Sequence, residues 1–375
     1  MSNSATASNG KDEEEIPPPQ RPPSPPLHTT FAARGVHPTT FSAFRPRDVR
    51  VTSPLAMTHV AWSCDGKKLA AVGIDKIVRV LQPEKSMEMR AASLFSGGHS
   101  DDVDYVTWNP THPELFCSSS QKDRRIVFWD ARPSFLFTES RHTQQRTLKV
   151  SPVQTNYSPD GKSLLYVSAG HQVFFMTYGK EADDAKEQWT NTDKEGLFFV
   201  FCMIHQVTAS TAMFNHTGDG IILTHNSEHT LRIMDYPSLS LYETPAAHVG
   251  GCVAAALDPR GRQAFALHCG HDSIVNMFDL SEWICARTIT SCENSITSLS
   301  FSHDGEYIAI ANTGSYIDIC STETSIPLHR VPALAPSPTV TWHPSKYVIA
   351  YCGQTKLREG GPPPVAVISL FGPGM

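Results

Sequence analysis

The hydrophobic and polar positions of this chain follow one pattern that recurs along most of its length. An apolar anchor residue ends a short apolar run, a polar turn with Pro, Asp or Gly follows, and a second apolar run comes next. In SLSFSHDGEYIAIA, which begins at Ser298, two such runs flank Asp304-Gly305, a dipeptide that favours a tight turn. Each copy of the pattern therefore predicts a β-hairpin.

Seven copies of the hairpin pattern are present, and their anchors lie 41 to 57 residues apart. Self-similarity at roughly 40–45 residues, with several short strands per unit, is typical of propellers with four-stranded blades. The pattern therefore predicts an all-β, seven-bladed β-propeller. The anchors are Trp62, Trp108, Tyr157, Phe214, Leu257, Phe301 and Trp342.

The second copy, GHSDDVDYVTWNPTHPELFCSSSQKDRRIVFWD, is the most complete. It resembles a WD repeat, with Gly98-His99 at its start and Trp129-Asp130 at its end, and the resemblance covers about residues 55–372. The fold class that this implies is a seven-bladed WD-repeat β-propeller. In WD repeats a histidine, a strand hydroxyl, a loop aspartate and a tryptophan form a buried hydrogen-bonded tetrad. By resemblance these are His99, Ser118 or Ser119, Asp123 and Trp129.

Closure of the ring requires an outermost strand for the last blade, because the seventh copy ends near Phe371. A segment between Thr39 and Val51 is predicted to supply that strand. The preceding residues contain the acidic run Asp12–Glu15 and a proline run but few apolar side chains, so they are predicted to be disordered. The predicted domains are a disordered acidic and proline-rich tail, 1–38, and a seven-bladed propeller, 39–375, in which residues 39–51 close the last blade.

The longest gap between anchors contains the apolar stretch GLFFVFCMIHQ, Gly196–Gln206. Without it, this gap would match the others. Three interpretations stay open: a true insertion, the ordinary outer strand of the third blade, or an error in the gene model.

Composition and charge exclude several classes of function. A net charge of −6 gives no bulk attraction to a phosphate backbone. Nine cysteines without a CxxC pair indicate free thiols rather than a disulfide framework. No signal peptide is recognised, and the most apolar run is too short for a membrane helix. We therefore expect a cytosolic or nuclear protein with no membrane association.

Four motifs invite a chemical interpretation that their context opposes. Ser302, His303 and Asp304 are adjacent, so their side chains diverge and cannot form a hydrolase triad. HNSEH, 225–229, matches a zinc-protease pattern, but it lies between two strand-like runs rather than on a helix, and HCGH, 268–271, occupies the same place in the next repeat. DDVD, 101–104, lacks the glycine and distal glutamate of a calcium loop. The sequence predicts no enzyme, no metal site and no cofactor.

The order of several motifs makes the resemblance more specific. WSCDGKKLA, SPDGKSLLYV, YPSLSLYETPAAH, SFSHDGEYIAIA followed by YIDI, VTWHP and the final SLFG are similar, in this order, to the WD-repeat third subunits of THO complexes. The resemblance implies a nuclear, non-enzymatic scaffold that acts in transcription-coupled packaging and export of mRNA. Its partners would be other THO/TREX-type subunits, with mRNA contacted mostly indirectly and no small-molecule substrate.

The alternative function is a WD-repeat adaptor of another complex, such as the substrate receptor of a ubiquitin ligase. The sequence does not decide which propeller rim binds which partner, and the role of the proline-rich tail stays open. Candidate partner contacts are Asp101, Asp102, Lys122, Arg124 and Arg125.

Overall fold

The computed structural model describes residues 39–51, 55–132, 142–179, 187–191, 208–247, 252, 254–259, 265–268, 273–355 and 363–374. These residues form 28 β-strands and two short 3₁₀ turns, Phe41–Ala43 and Met89–Ala91. The expectation of an all-β propeller is therefore confirmed. Across the described ranges, no helix combines the length and apolar character needed to cross a membrane. The predicted disorder of residues 1–38 falls outside these ranges.

The strands pair into seven four-stranded antiparallel sheets, which are called blades here. Chain order begins with β1 (Arg45–Arg50), which belongs to blade 7. Blade 1 contains β2 (Met57–Trp62), β3 (Leu69–Gly73), β4 (Val78–Leu81) and β5 (Ser93–Phe95). Blade 2 contains β6 (Tyr105–Trp108), β7 (Leu115–Ser120), β8 (Arg125–Asp130) and β9 (His142–Thr147). Blade 3 contains β10 (Pro152–Tyr157), β11 (Ser163–Ser168), β12 (Val173–Gly179) and β13 (Gln188–Asn191).

Blades 4 to 7 follow in the same manner. Blade 4 contains β14 (Thr211–Phe214), β15 (Gly220–Thr224), β16 (Arg232–Asp235) and β17 (Leu241–Glu243). Blade 5 contains β18 (Ala254–Leu257), β19 (Phe265–His268), β20 (Val275–Asp279) and β21 (Ile284–Ile289). Blade 6 contains β22 (Ile296–Phe301), β23 (Tyr307–Asn312), β24 (Tyr316–Ser321) and β25 (Pro327–Pro332). Blade 7 contains β26 (Val340–Trp342), β27 (Ile349–Gln354), β28 (Ala366–Gly372) and β1.

Each anchor residue predicted from the sequence is the last residue of the innermost strand of its blade. The turn that follows then leads into a second strand that is buried on both faces, as in β3 and β23. Strands buried on both faces are expected to be continuously apolar rather than alternating. This explains why β3 and β23 are more continuously hydrophobic than the innermost strands β2 and β22 that precede them.

The core lies between blades rather than within any one of them. Trp108, Phe116 and Trp129 of blade 2 pack with Phe95 of blade 1 in one buried cluster, and comparable clusters join blades 7 and 1, 2 and 3, 3 and 4, 4 and 5, and 5 and 6. Blades 6 and 7 meet through Tyr307 and Trp342, whose ring centroids lie 6.4 Å apart. Every blade therefore depends on both of its neighbours for burial.

The outermost strand of blade 7 comes from the segment predicted to close the ring. β1 pairs antiparallel with β28, from Arg45 opposite Gly372 to Arg50 opposite Val367. Val49 and Val51 are buried in the cluster that joins blades 7 and 1. Phe41 is 3% exposed, and its ring centroid lies 4.9 Å from that of Tyr307. The segment is thus held by its backbone ladder and by buried side chains.

The fourth strand of blade 3 is β13, the mostly polar segment QWTN. An outer strand pairs on one side only and faces solvent, so it needs little apolar content. Gly196–Gln206 falls outside the described residues, and its three interpretations stay open.

Candidate functional site

The four candidate tetrad residues lie in one continuous chain of hydrogen bonds in blade 2. Trp129 Nε1 donates to Ser118 Oγ at 2.7 Å, and Ser118 Oγ lies 2.7 Å from His99 Nε2. On the other side of the imidazole, Nδ1 lies 3.0 Å from Asp123 Oδ2. The side chains of His99 and Asp123 are 0% and 2% exposed. Ser118 rather than Ser119 is the hydroxyl member.

The bonding pattern fixes the direction in which each group donates. Ser118 Oγ accepts from the indole and donates to Nε2, so the imidazole donates from Nδ1 to Asp123. The backbone N–H groups of Ser100 and Arg125 also donate to the Asp123 carboxylate, at 3.0 and 2.9 Å. Burial opposes ionisation of this carboxyl, but the hydrogen bonds outweigh it, and the pKa of Asp123 lies below its usual value. The polar side-chain groups of the tetrad are thus bonded to one another or to nearby backbone N–H groups. Because His99 lies in the loop before β6 and Asp123 in the turn after β7, the tetrad ties these two segments together.

The candidate partner contacts surround the tetrad at the surface. Lys122 pairs with Asp102 and lies 3.7 Å from Asp101, and its side chain is 61% exposed. Arg124 takes a left-handed backbone conformation, with φ of 57°, in the turn between β7 and β8. Arg125 donates from Nη1 to the carbonyl oxygen of Gly98 at 3.4 Å. Lys122 and Arg124 are exposed and Arg125 is partly buried, and Lys122 links the turn after β7 to Asp101 and Asp102 in the loop before β6.

Ser302, His303 and Asp304 form a turn between β22 and β23. Ser302 Oγ donates to Asp304 Oδ1 at 2.6 Å and accepts from the backbone N–H of Tyr307 at 3.0 Å. Tyr347 of blade 7 donates its hydroxyl to the other oxygen of Asp304. The serine is therefore bonded to the aspartate rather than to the histidine, which is the wrong order for a nucleophile activated by a base.

The HNSEH motif lies in the turn between β15 and β16. Its first histidine, His225, accepts from Ser227 at Nδ1, which opposes metal binding through that nitrogen. Among the described residues, no group of three or more His, Cys, Asp or Glu side chains could hold a metal ion. The side chains of the HCGH motif fall outside the described part of the chain.

The central channel, about 870 Å³ in volume, is lined by the innermost strands. Polar side chains that line it bond to the backbone of the next blade: Gln154 Oε1 accepts from Ala212 N at 3.2 Å, and Ser300 Oγ accepts from Trp342 N at 3.0 Å. An innermost strand would otherwise present unsatisfied N–H groups. These channel residues hold neighbouring blades together, and the repeat pattern gave no indication of their role.

A second set of contacts that sequence reasoning missed lies between neighbouring blades away from the channel. The amide of Gln144 on β9 bonds to both backbone groups of Trp189 on β13, at 2.7 and 2.8 Å. His343 Nε2 lies 3.0 Å from the carbonyl oxygen of Gly66 in the turn of blade 1, where φ is 72°. A Cβ atom at Gly66 would lie 2.2 Å from the His343 ring, so only glycine fits there.

His59 on β2 gives the fold an acid-sensitive group. Its ring centroid lies 3.9 Å from that of Tyr105, and burial lowers the pKa of His59 to about 4. The unfolded chain binds this proton near pH 6.5, so below that pH the unfolded state holds more protons and stability falls. At about 1.4 kcal/mol per pKa unit, we expect a loss of about 2 kcal/mol between pH 7 and pH 5. Thermal melts at pH 7 and pH 5 should show a smaller acid-induced fall in melting temperature for His59→Gln than for the wild type. Equal falls would show that His59 is not the acid-sensitive group.

Comparisons with known proteins agree with this geometry. The family model "WD domain, G-beta repeat" matches residues 92–130, which contain the whole tetrad, and residues 283–316. The β-propeller domain of Cps50 (Swd1) from Myceliophteria thermophila has a crystal structure similar to this one, with a TM-score of 0.66. The match covers 86% of this chain and 99% of that chain at 16% identity, so it shows the fold alone.

Two sequence relatives cover most of the chain. The WD repeat-containing protein AAC3 of Dictyostelium discoideum is 22% identical over 334 residues, which are 81% of this chain and 63% of that protein. THO complex subunit 3 of Arabidopsis thaliana is 32% identical over 297 residues, which are 79% of this chain and 86% of the plant protein. At that identity over most of both chains, this chain belongs to the THO complex subunit 3 family of WD-repeat proteins.

Proposed function

We propose that this chain is a non-enzymatic, seven-bladed scaffold subunit of a nuclear THO-type complex that acts in transcription-coupled packaging and export of mRNA. The observation that carries the proposal is its 32% identity with THO complex subunit 3 over 79% of the chain. The chain contributes rigid surfaces to other subunits, and mRNA reaches the assembly mostly through those subunits.

The side chains that could suggest catalysis have structural partners instead. Ser302 bonds to Asp304 and to the Tyr307 backbone, and His99 is enclosed between Ser118 and Asp123. A buried histidine without such partners would cost the fold free energy, so these bonds have a sufficient structural reason. This supports a scaffold rather than an enzyme.

Purification of the tagged full-length chain from nuclear extracts of its own cells tests the proposal. We expect THO-type subunits to co-purify in near-equal amounts. Lys122→Glu reverses an exposed charge beside the tetrad. It should reduce the amount of THO-type subunits that co-purify, because it sets a third negative charge beside Asp101 and Asp102. Lys162→Glu, an exposed lysine of blade 3, is the matched control. Capture of a cullin or its adaptor in place of THO-type subunits would favour a ubiquitin-ligase receptor and reject the proposal.

A further inference from the structure

A groove of about 520 Å³ lies where the last blade meets the first. Residues 47–50 of β1 form one wall, and residues 87–90 of the loop between β4 and β5 form the other. Met87 and Val49 are buried at its base, whereas Arg47, Arg50 and Arg90 are exposed along it. The exposed carboxylates of Asp48 and Glu88 also line the groove, which therefore combines an apolar floor with a rim of net positive charge.

The β1 wall presents an open strand edge. Val51 N donates to Ala366 O at 2.8 Å, so Val51 and every second residue before it bond to β28. The N–H groups of Asp48 and Arg50 must then point away from β28, toward the open side. Within the described residues, neither N–H has a hydrogen-bond partner. Pro46 has no N–H, which limits the usable edge to Asp48–Arg50.

Two of the three rim arginines have no anionic partner among the residues that the structure describes. Arg90 pairs with Glu88, but Arg47 and Arg50 form no ion pair there. Asp48 lies between them in sequence but forms an ion pair with neither, and its carboxylate accepts a hydrogen bond from Ser369 Oγ at 2.5 Å. On other outer strands the arginines are engaged: Arg330 on β25 pairs with Asp318 and Glu293, and Arg146 on β9 bonds to the carbonyl oxygen of Trp189.

We propose that this groove is a docking site for an acidic, extended peptide segment of a partner protein. The segment adds to β1 as a fifth strand of blade 7: its carbonyl groups accept from Asp48 N and Arg50 N, and its carboxylates pair with Arg47 and Arg50. Addition of a strand to an exposed edge is an established mode of peptide recognition, in which the backbone supplies affinity and side chains supply specificity. This proposal does not rest on the proposed function, because it requires only the folded chain.

The chemistry of the groove disfavours the other occupants. The open edge of β1 offers carbonyl oxygens as well as N–H groups. A peptide brings its own N–H donors for those carbonyl oxygens, whereas a phosphate backbone brings none. A second copy of the chain, paired edge to edge, would bring two rims of net positive charge together, which is unfavourable.

Fluorescence anisotropy with the purified full-length chain tests the proposal. The probe is a short fluorescein-labelled peptide in which glutamates flank a central valine. We expect saturable binding that weakens with salt and falls at least tenfold in the double variant Arg47→Glu, Arg50→Glu. Lys162→Glu is the matched control and should bind as the wild type does. A peptide with proline in place of valine should also bind more weakly, since proline cannot complete the ladder.

Other results would overturn the proposal. Peptide binding that is absent, or unchanged in the double variant while its melting temperature matches the wild type, would show that the groove is not the site. Single-stranded RNA is the second probe, and we expect affinity no tighter than the roughly 10⁻⁴–10⁻⁶ M of non-specific nucleic-acid binding. RNA that binds more tightly than the peptide and is lost in the double variant would make the groove a phosphate site. Self-association lost in that variant would make it a contact between copies.

Discussion

Deleting residues 1–51 should lower the melting temperature far more than deleting residues 1–38. The longer deletion removes β1 and the buried side chains of Phe41, Val49 and Val51. Burial of such side chains contributes about 1.5–3 kcal/mol each, so the total loss is comparable to the whole stability of many domains. We expect a fall of more than about 10 °C, at about 2–4 °C for each kcal/mol. Differential scanning calorimetry of the two truncated chains measures it.

The longer truncation should also aggregate. Without β1, the edge of β28 becomes an open row of backbone donors and acceptors flanked by apolar side chains, which is a site for pairing with other chains. The single variant Phe41→Ala keeps β1 and should lose about 3–5 kcal/mol without aggregating. Equal melting temperatures and equal solubility of the two truncations would refute the closing role of this segment.

Asp123→Ala should cost about 3 kcal/mol of folding free energy. The substitution removes the acceptor for His99 Nδ1 and for the backbone N–H groups of Ser100 and Arg125. A buried donor left without an acceptor costs about 1–3 kcal/mol, and partial access to water reduces the cost at the two backbone groups. Urea denaturation, analysed with a common m-value, measures the loss.

Ser118 and Ser119 allow a test of the tetrad in which one substitution removes its hydrogen bonds and the other serves as the control. Both Ser118 and Ser119 are fully buried, but Ser118 Oγ bonds to His99 and Trp129, whereas Ser119 Oγ has no partner among the described residues. Ser118→Ala should therefore destabilise the fold by about 1–3 kcal/mol, and Ser119→Ala should have little effect. If the two variants lose the same free energy, the tetrad is not the cause.

The residues whose positions could be predicted from the sequence are those whose role depends on a short local pattern. The anchors could be found because an apolar residue, a polar turn and an apolar run recur in one short stretch, and each anchor ends an innermost strand. The choice between Ser118 and Ser119 could not be made in that way. Adjacent strand residues face opposite sides, so the choice depends on which side of β7 meets the histidine.

The contacts between blades could not be predicted for a different reason. Gln144 recognises the Trp189 backbone across 45 positions of sequence, and His343 recognises Gly66 across 277. Neither residue belongs to a repeating pattern, because each meets a partner fixed by the packing of two whole blades. The fourth strand of blade 3, Gln188–Asn191, could not be predicted either, because it is mostly polar and lacks the apolar run of the inner strands.

The pairing of β1 with β28 also determines when the protein can finish folding. Asp48 and its hydrogen-bond partner Ser369 are 321 positions apart, so the ribosome makes one long before the other. At roughly 5–20 residues per second, the early strand waits some tens of seconds for its partner. Because β28 holds β1 beside residues 87–90, the groove where the last blade meets the first exists only after β28 has been synthesised and paired. A subunit that docks in that groove would therefore select closed propellers and leave open ones unassembled.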